Sequence, residues 1–208
     1  MTVIDISRPL SPATAVWPGD RPPAFSWTMQ QSDGASVNVG AAHISLHSGS
    51  HVDAPRHYTP DGPTVDQLPL EPFLGPACVV DVGDVDSIRP DHVANGLGAG
   101  APRVLFKTDY SHVPATDWTG AFASVAPETI RWLAERDVVL VGTDTPSFDP
   151  PDSQELPAHH ALNECAIMNL EHLDLSGVAP GRYQLVALPL RLEGMDASPV
   201  RAVLIQES

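Results

Sequence analysis

Residues 137–144 have the sequence DVVLVGTD, a short apolar run rich in valine and leucine. A run of this kind is typical of a strand that is covered on both faces, because neither side of it meets water. Comparable segments occur at 78–82 (CVVDV), 103–108 (RVLFKT) and 183–192 (YQLVALPLRL). These segments predict a buried central β-structure.

Helices are fewer than strands. Residues 126–136 (APETIRWLAER) give the clearest helix, because Pro127 suits the first turn. Residues 87–97 predict a short helix and residues 157–164 a third. Further strands are predicted at 2–7, 166–170 and 197–206, with a proline-broken loop at 11–23. Residues 36–47 alternate in a way that predicts either a strand or one arm of a bent hairpin. Many strands with few helices predict one α/β domain over residues 1–208, with mixed central β-structure.

The charge balance argues against two classes of partner. The 208 residues include 26 acidic and 11 basic side chains, which gives a formal net charge of −15. Nucleic acids require Lys and Arg for counterion release, and anionic membrane surfaces attract the same residues. We therefore expect neither nucleic acid nor a membrane as a partner.

The sequence also predicts a cytoplasmic location. The start, MTVIDISRPL, lacks the basic and apolar regions of a secretory signal. No apolar run approaches the roughly eighteen residues of a membrane span. Cys78 and Cys165 both lie in apolar runs, where reduced, buried thiols are expected.

Residues 47–57, HSGSHVDAPRH, concentrate three histidines and an aspartate in eleven positions. In an extended chain His47 and Asp53 would lie about 20 Å apart, at about 3.3 Å per residue. Ligands of one metal ion must converge to about 2.0–2.2 Å from it. A shared metal therefore requires the chain to reverse between His47 and His51, and Gly49 suits such a turn.

A helix is a less favourable conformation for this motif. It would bring the first two histidines together at i and i+4, but Gly49 and the Ala54-Pro55 step disfavour it. A single histidine is more often a core or surface residue than a ligand. Three histidines and an aspartate at i, i+4, i+6 and i+10 favour a metal site, and the donors suit Zn²⁺, Mn²⁺ or Fe²⁺.

A second cluster lies in HHALNECAIMNLE, which carries His159, His160 and Glu171. Local sequence leaves open whether this cluster meets the first. The remaining histidines have no partner pattern and are interpreted as structural or exposed: His43, His92, His112 and His172.

These residues resemble those of the bacterial kynurenine formamidases, within a broader superfamily of metal-dependent cyclases. Their motif, His-x-Gly-x-His-x-Asp-x-Pro-x-His, fits residues 47–57 without a gap. Other segments resemble the family in order, so nearly the whole chain is covered: ISRPLSPATAVWPGD, GTDTPSFDPPDS, HHALNECAIMNLEHLDLSGV and YQLVALPLRL. The resemblance implies a swivelling β/β/α cyclase-like fold. Lys107, where arginine is expected, and Thr143, where an aliphatic residue is usual, depart from the family pattern.

The resemblance also implies a site with two metal ions per subunit, Zn²⁺ or alternatively Mn²⁺. His47, His51 and Asp53 match the ligands of the first ion. Asp53 would bridge to a second ion that His159 and Glu171 also hold, and their twelve-residue separation selects His159 over its neighbour. The family pattern further implies that His57 is the catalytic proton acceptor and donor, and that Trp17 lines the substrate pocket.

The implied activity is hydrolysis of N-formyl-L-kynurenine to L-kynurenine and formate, in tryptophan breakdown, by a homodimer. A related amide or cyclic-imide hydrolase, such as one that opens isatin, would use the same motif. A non-catalytic metal-binding module is a third interpretation. A serine hydrolase is disfavoured because the sequence contains no Gly-x-Ser-x-Gly element.

Overall fold

The computed structural model describes residues 1–97 and 101–206. Within these ranges the strands are β1 (Thr2–Asp5), β2 (Ala24–Met29), β3 (Val39–His43), β4 (His51–Asp53), β5 (Leu74–Gly83), β6 (Ser87–Ile88), β7 (Arg103–Thr108), β8 (Ser124–Val125), β9 (Leu140–Thr143), β10 (Met168–Leu170), β11 (Gly181–Val186), β12 (Ala197–Pro199) and β13 (Val203–Gln206). The helices are α1 (Pro90–Ala94), α2 (Pro127–Ala134) and α3 (Pro157–Glu164). None of the helices in this part of the chain has the length and apolar character that a bilayer span demands.

Seven of the strands form the central sheet, in the order β1-β13-β11-β5-β7-β9-β10. The half from β5 to β10 is parallel, and β11, β13 and β1 extend it with antiparallel pairs. The predicted class, α/β with a mixed central sheet and few helices, is confirmed.

Both faces of the sheet are covered by apolar side chains. Val79 and Leu105 belong to the core on one face, while their neighbours Val80 and Phe106 belong to the core on the other. This alternation follows from the two-residue period of a strand. The helices cover the second face, where Ile130 of α2 is fully buried. The apolar runs at 78–82 and 103–108 therefore form strands that are buried on both sides, as predicted.

The first face is covered by loops and by the small β4–β12 pair. Val52 and Ala54 are fully buried there. β4 and β12 run antiparallel, with Ala197 opposite Asp53. The motif strand therefore packs on the core with its even positions, as the alternation of its sequence indicates.

Some predicted boundaries were wrong. α3 has the predicted bounds, but the segment 87–97 forms strand β6 before a helix that starts only at Pro90. The strand predicted at 183–192 ends at Val186, shortly before Pro189, which has no N–H to donate to a sheet. The segment 197–206 divides into two strands, β12 and β13.

The sequence did not indicate β2, which pairs with β3 as an antiparallel hairpin. Every residue of both strands is exposed. Phe25, Trp27 and Met29 expose 48%, 61% and 46% of their surface. The hairpin therefore presents large apolar side chains at the surface of the described part of the chain.

Candidate metal centre

The motif at residues 47–57 folds as a turn followed by a buried strand. Gly49 adopts φ of +65°, a left-handed conformation that favours glycine. β4 then runs from His51 to Asp53. The expected reversal is present, and it brings Nδ1 of His47 to 2.9 Å from Oδ1 of Asp53.

Backbone pairing joins this strand to the second cluster. The N–H of His51 donates to the carbonyl of Glu171 at 3.2 Å, and the N–H of Glu171 donates back at 3.0 Å. The buried Asn169 adds a side-chain link, since its Nδ2 donates to Oδ2 of Asp53 at 2.9 Å. The two clusters, whose relation local sequence left open, therefore meet.

Two groups of donor atoms share Asp53. Its Oδ1 lies 2.9 Å from Nδ1 of His47 and 3.3 Å from Nε2 of His51. Its Oδ2 lies 3.5 Å from Nε2 of His159, which is 3.2 Å from Oε1 of Glu171. In each group the donor atoms lie within 4.8 Å of one another. The structure thus brings together all five residues predicted as ligands.

In each of the three histidines of these groups, one ring nitrogen faces the other donor atoms. The second ring nitrogen is hydrogen-bonded to an oxygen atom. The partners are Gly49 O for His51 at 2.9 Å, Asp149 Oδ2 for His159 at 2.6 Å, and Asp196 Oδ2 for His47 at 3.0 Å. When one ring nitrogen donates its proton to such a partner, the other presents a lone pair. This is the arrangement that metal-binding histidines use.

Sequence reasoning missed Asp149 and Asp196. Asp149 precedes α3, and its carboxylate also accepts the backbone N–H groups of Ala158 and His159. Asp196 directly precedes β12, far along the chain from the histidine that it contacts. No local pattern marked either residue, because Asp152 and Glu155 lie nearer to the start of α3 than Asp149 does.

The buried charges of the site act strongly on one another. Burial favours the neutral acids, yet the neighbouring histidines lower the pKa of both Asp53 and Glu171 below their ordinary values. Burial also opposes a charged His51, but the two carboxylates outweigh it and raise its pKa to about 10. At His47 burial is outweighed by Asp196 and Asp53, and the pKa rises to about 9. The carboxylates therefore require positive charge beside them, from protons or from a cation.

The donor set fits a divalent cation. Nε2 of His51 and Oδ1 of Asp53 are buried and form no aligned hydrogen bond within the described part of the chain, although they lie 3.3 Å apart. An unsatisfied buried polar atom costs about 1–3 kcal/mol, and coordination would remove that cost. Imidazole and carboxylate together suit zinc or manganese, and binding would displace the imidazole protons.

A cavity of about 580 Å³ opens over the two groups. Its volume falls within the roughly 300–1,000 Å³ of small-molecule sites. Trp17 lines this cavity together with His57 and Glu171. The Trp17 ring packs edge-on against Trp118, with centroids 4.9 Å apart, and Phe122 lies 6.4 Å from it. An aromatic wall therefore faces the same space as the donor atoms.

His57 lies beside the two groups that share Asp53 but in neither of them. Its ring centroid is 4.2 Å from that of His47 and 6.2 Å from that of His159. Burial lowers the pKa of His57, so its imidazole is neutral near pH 7 and able to accept a proton.

The other histidines differ in how far they are exposed. His160 is exposed, whereas its neighbour His159 is buried and contacts the carboxylates. Among the histidines interpreted as structural or exposed, His43 and His112 are exposed, and His92 is half-buried and accepts the N–H of Arg89 at 3.2 Å. His172 is buried, lines the cavity and has φ of +57°. Burial, with a smaller effect of Arg8, lowers the pKa of His172 to about 3, so its ring is uncharged.

The chain is similar to a known protein family and to a relative that it covers almost in full. The family described as "Putative cyclase" matches residues 4–150. A protein of Salinibacter ruber (strain DSM 13855 / M31), named kynurenine formamidase, is 53% identical over 206 residues, which cover 98% of this chain and 97% of that protein.

Two solved structures share the fold. One is described as a potential metal-dependent hydrolase with cyclase activity, and it is similar at a TM-score of 0.84 with 30% identity, over 100% of this chain and 99% of the other. The other is isatin hydrolase A from Labrenzia aggregata bound to benzyl benzoate, at a TM-score of 0.83 with 25% identity, over 99% of this chain and 94% of the other.

Proposed function

The chain belongs to the cyclase family, and from that premise we propose that it is a kynurenine formamidase, which hydrolyses N-formyl-L-kynurenine to L-kynurenine and formate. The observation that carries this proposal is the 53% identity to a kynurenine formamidase over almost the full length of both chains. The cavity supports it, because an aromatic wall and a cluster of metal-type donors face the same space. This activity is a step of tryptophan breakdown.

The proposed cofactor is a pair of zinc ions per subunit, with manganese as an ion that the same donors suit. His47, His51 and Asp53 would hold the first ion. Asp53, His159 and Glu171 would hold the second, so that Asp53 would be a ligand of both ions. The support is the shared carboxylate, the held imidazoles and the unsatisfied buried atoms of the site.

When bound, the two cations would lower the pKa of a water and withdraw electrons from the formyl oxygen. His57, at the cavity wall, would accept a proton from the attacking water and deliver it to the departing arylamine nitrogen. Its neutral state near pH 7 suits the first of these transfers. The amide C–N bond breaks, the formyl carbon gains the hydroxyl of the water, and the nitrogen gains the proton.

Trp17 would orient the aryl ring of the substrate. It is 37% exposed although it is a large aromatic residue, and it lines the cavity. Trp118 and Phe122 pack against its edges and so hold the ring in place. Aromatic pairs contribute about 0.5–1.5 kcal/mol beyond their buried area.

We further propose that the enzyme is a cytoplasmic homodimer. The exposed hairpin of β2 and β3 presents an apolar surface that a second copy of the chain would cover. The arm would then gain the contacts that a two-stranded sheet needs for stability. Both cysteines are free thiols, in keeping with a reducing compartment.

An assay on two substrates tests the activity. Purified protein is given N-formyl-L-kynurenine and, separately, isatin, before and after chelation, with zinc restored at the end. We expect metal-dependent release of formate from the first substrate and a much lower rate on the second. Preferential opening of isatin would instead assign the chain to the cyclic-imide hydrolases, for which the Labrenzia enzyme is the specific precedent. Zinc binding without turnover of either substrate would favour the non-catalytic module.

A further inference from the structure

Asp196 is fixed to the motif by its backbone. Its carbonyl accepts the N–H of Ala54 at 2.8 Å, and the next residue, Ala197, stands opposite Asp53 in the β4–β12 pair. The side chain of Asp196 therefore lies beside His47 and His57, which precede and follow β4 in the chain.

One carboxylate oxygen of Asp196 contacts two imidazoles. Oδ2 lies 3.0 Å from Nε2 of His47, in hydrogen-bond geometry, and 3.4 Å from Nδ1 of His57, at the distance of an ion pair. The two rings are 4.2 Å apart and inclined by 41°. A carboxylate oxygen has two lone pairs, so it is able to accept an N–H from each ring at the same time.

We propose that Asp196 is a positioning residue that holds the His57 ring, with its proton on Nδ1, so that Nε2 faces the reacting groups as the proton acceptor. This inference rests on the proposed function of His57. Within the described residues no protein atom is hydrogen-bonded to Nε2 of His57, and the residue lines the cavity. Asp196 does not line the cavity, so it acts through the histidine and does not touch the substrate.

The link to His57 is separate from the link to His47. The contact with His47 orients a proposed metal ligand, and loss of this contact would weaken binding of the first cation. The contact with His57 orients the proton-transfer group, and its loss would slow turnover even when both cations are present. Measurements at saturating zinc, with the bound metal counted, therefore separate the two roles.

The test compares Asp196→Ala and Asp196→Asn with the wild type and with a control, Asp66→Ala. Asp66 is bonded to the segment just before Asp196, because its Oδ1 accepts the N–H of Gly194 at 3.0 Å. Among the described residues it contacts no imidazole. We expect Asp196→Ala to lower kcat about 10- to 100-fold, the usual effect of losing a partner of this kind. The KM should stay within about twofold and two zinc ions should remain bound. Asp196→Asn should be intermediate, because its amide oxygen still accepts a hydrogen bond, and the control should retain its kcat.

A second measurement determines which ring nitrogen of His57 carries the proton. In the zinc-loaded protein, ¹⁵N shifts of the His57 ring should show a proton on Nδ1 in the wild type and in Asp66→Ala, and a shift of the proton towards Nε2 in Asp196→Ala. A wild-type ring that is protonated on Nε2 would overturn the proposal. This spectrum needs no substrate, so it remains decisive even if the wild type fails to hydrolyse N-formyl-L-kynurenine.

A mutant cycle completes the test. If Asp196 acts through His57, then Asp196→Ala should cause no further loss of kcat in a His57→Ala background. An equal loss in both backgrounds, or a loss that excess zinc reverses, would overturn the positioning role. Full activity in His57→Ala alone would refute the proposed mechanism itself, which is a different result from either of these.

Discussion

Replacing Asp149 with alanine should weaken both the fold and the second cation site. Three donors converge on this carboxylate: the N–H groups of Ala158 and His159 at 2.9 Å and 3.1 Å, and Nδ1 of His159 at 2.6 Å. The helix α3 has no cap of its own, because Leu156 stands at its N-cap with φ of +44° and offers no side-chain acceptor. Asp149 therefore caps this helix from a distance and orients a proposed ligand at the same time.

The size of the effect follows from these contacts. Loss of a helix cap costs about 1 kcal/mol, and a buried N–H left without an acceptor costs about 1–3 kcal/mol. Together they give roughly 3 kcal/mol, equivalent to a fall in Tm of about 6–12 °C for a chain of this size, at about 2–4 °C per kcal/mol. The affinity for the second cation should fall about 10- to 100-fold, because His159 loses the partner that holds its ring.

Calorimetry of the zinc-loaded protein measures the first effect, and elemental analysis after dialysis against limiting zinc measures the second. Asp152→Ala is the matched control, since Asp152 is an exposed carboxylate in the same loop. We expect the Asp149 variant to melt earlier and to retain close to one zinc ion per chain, with the control unchanged. If Asp149→Ala kept both its Tm and two tightly held ions, the assignment of this carboxylate as cap and orienter would be wrong.

The remaining predictions concern four positions. Asp53→Ala should lose both cations, because each group uses one of its oxygens, and elemental analysis that found full occupancy would contradict bridging. His57→Ala should lower kcat by about 10²–10⁴-fold, the usual contribution of a general acid or base, with metal content unchanged; loss of metal would make it a ligand instead. Trp17→Ala should raise KM roughly 2- to 10-fold, as expected for about 0.5–1.5 kcal/mol of ring contact, and an unchanged KM would remove it from the pocket. Gly49→Ala should destabilise the fold by about 1–2 kcal/mol because position 49 has a positive φ. Denaturant unfolding measures this beside the control Gly120→Ala, whose added methyl meets nothing within 4 Å. Equal stability of the two variants would refute this prediction.

The parts of the fold that the sequence predicted are those set by local patterns. The runs at 78–82 and 103–108 became strands, because uninterrupted valine and leucine need cover on both faces. The helix at 157–164 was found with its bounds, because Pro157 marks its first turn. The hairpin strand Ala24–Met29 was missed, because the whole strand is exposed and so gives no alternation between core and solvent.

In the candidate site, too, some features could be predicted from local sequence and others could not. The turn at Gly49 followed from the requirement that His47 and Asp53 converge, which is an argument from distance alone. The family resemblance implied the meeting with Glu171, but no local pattern contained it. Asp196 was missed because its partners lie at the other end of the chain, and only the pairing of β12 with β4 brings them together.

The position of Asp53 explains why these distant segments have to be joined so firmly. β4 is bonded on one side to Glu171, through the backbone of His51, and on the other to β12. Asp53 and Glu171 are each only 3% exposed, and two buried carboxylates this close repel each other unless positive charge lies beside them. Side chains on flexible loops would move apart to relieve that repulsion. Strand pairing prevents this movement. The repulsion is then relieved only by protons or cations that lie between the carboxylates. Because the backbone keeps the two carboxylates close, it raises the affinity of the site for a metal ion.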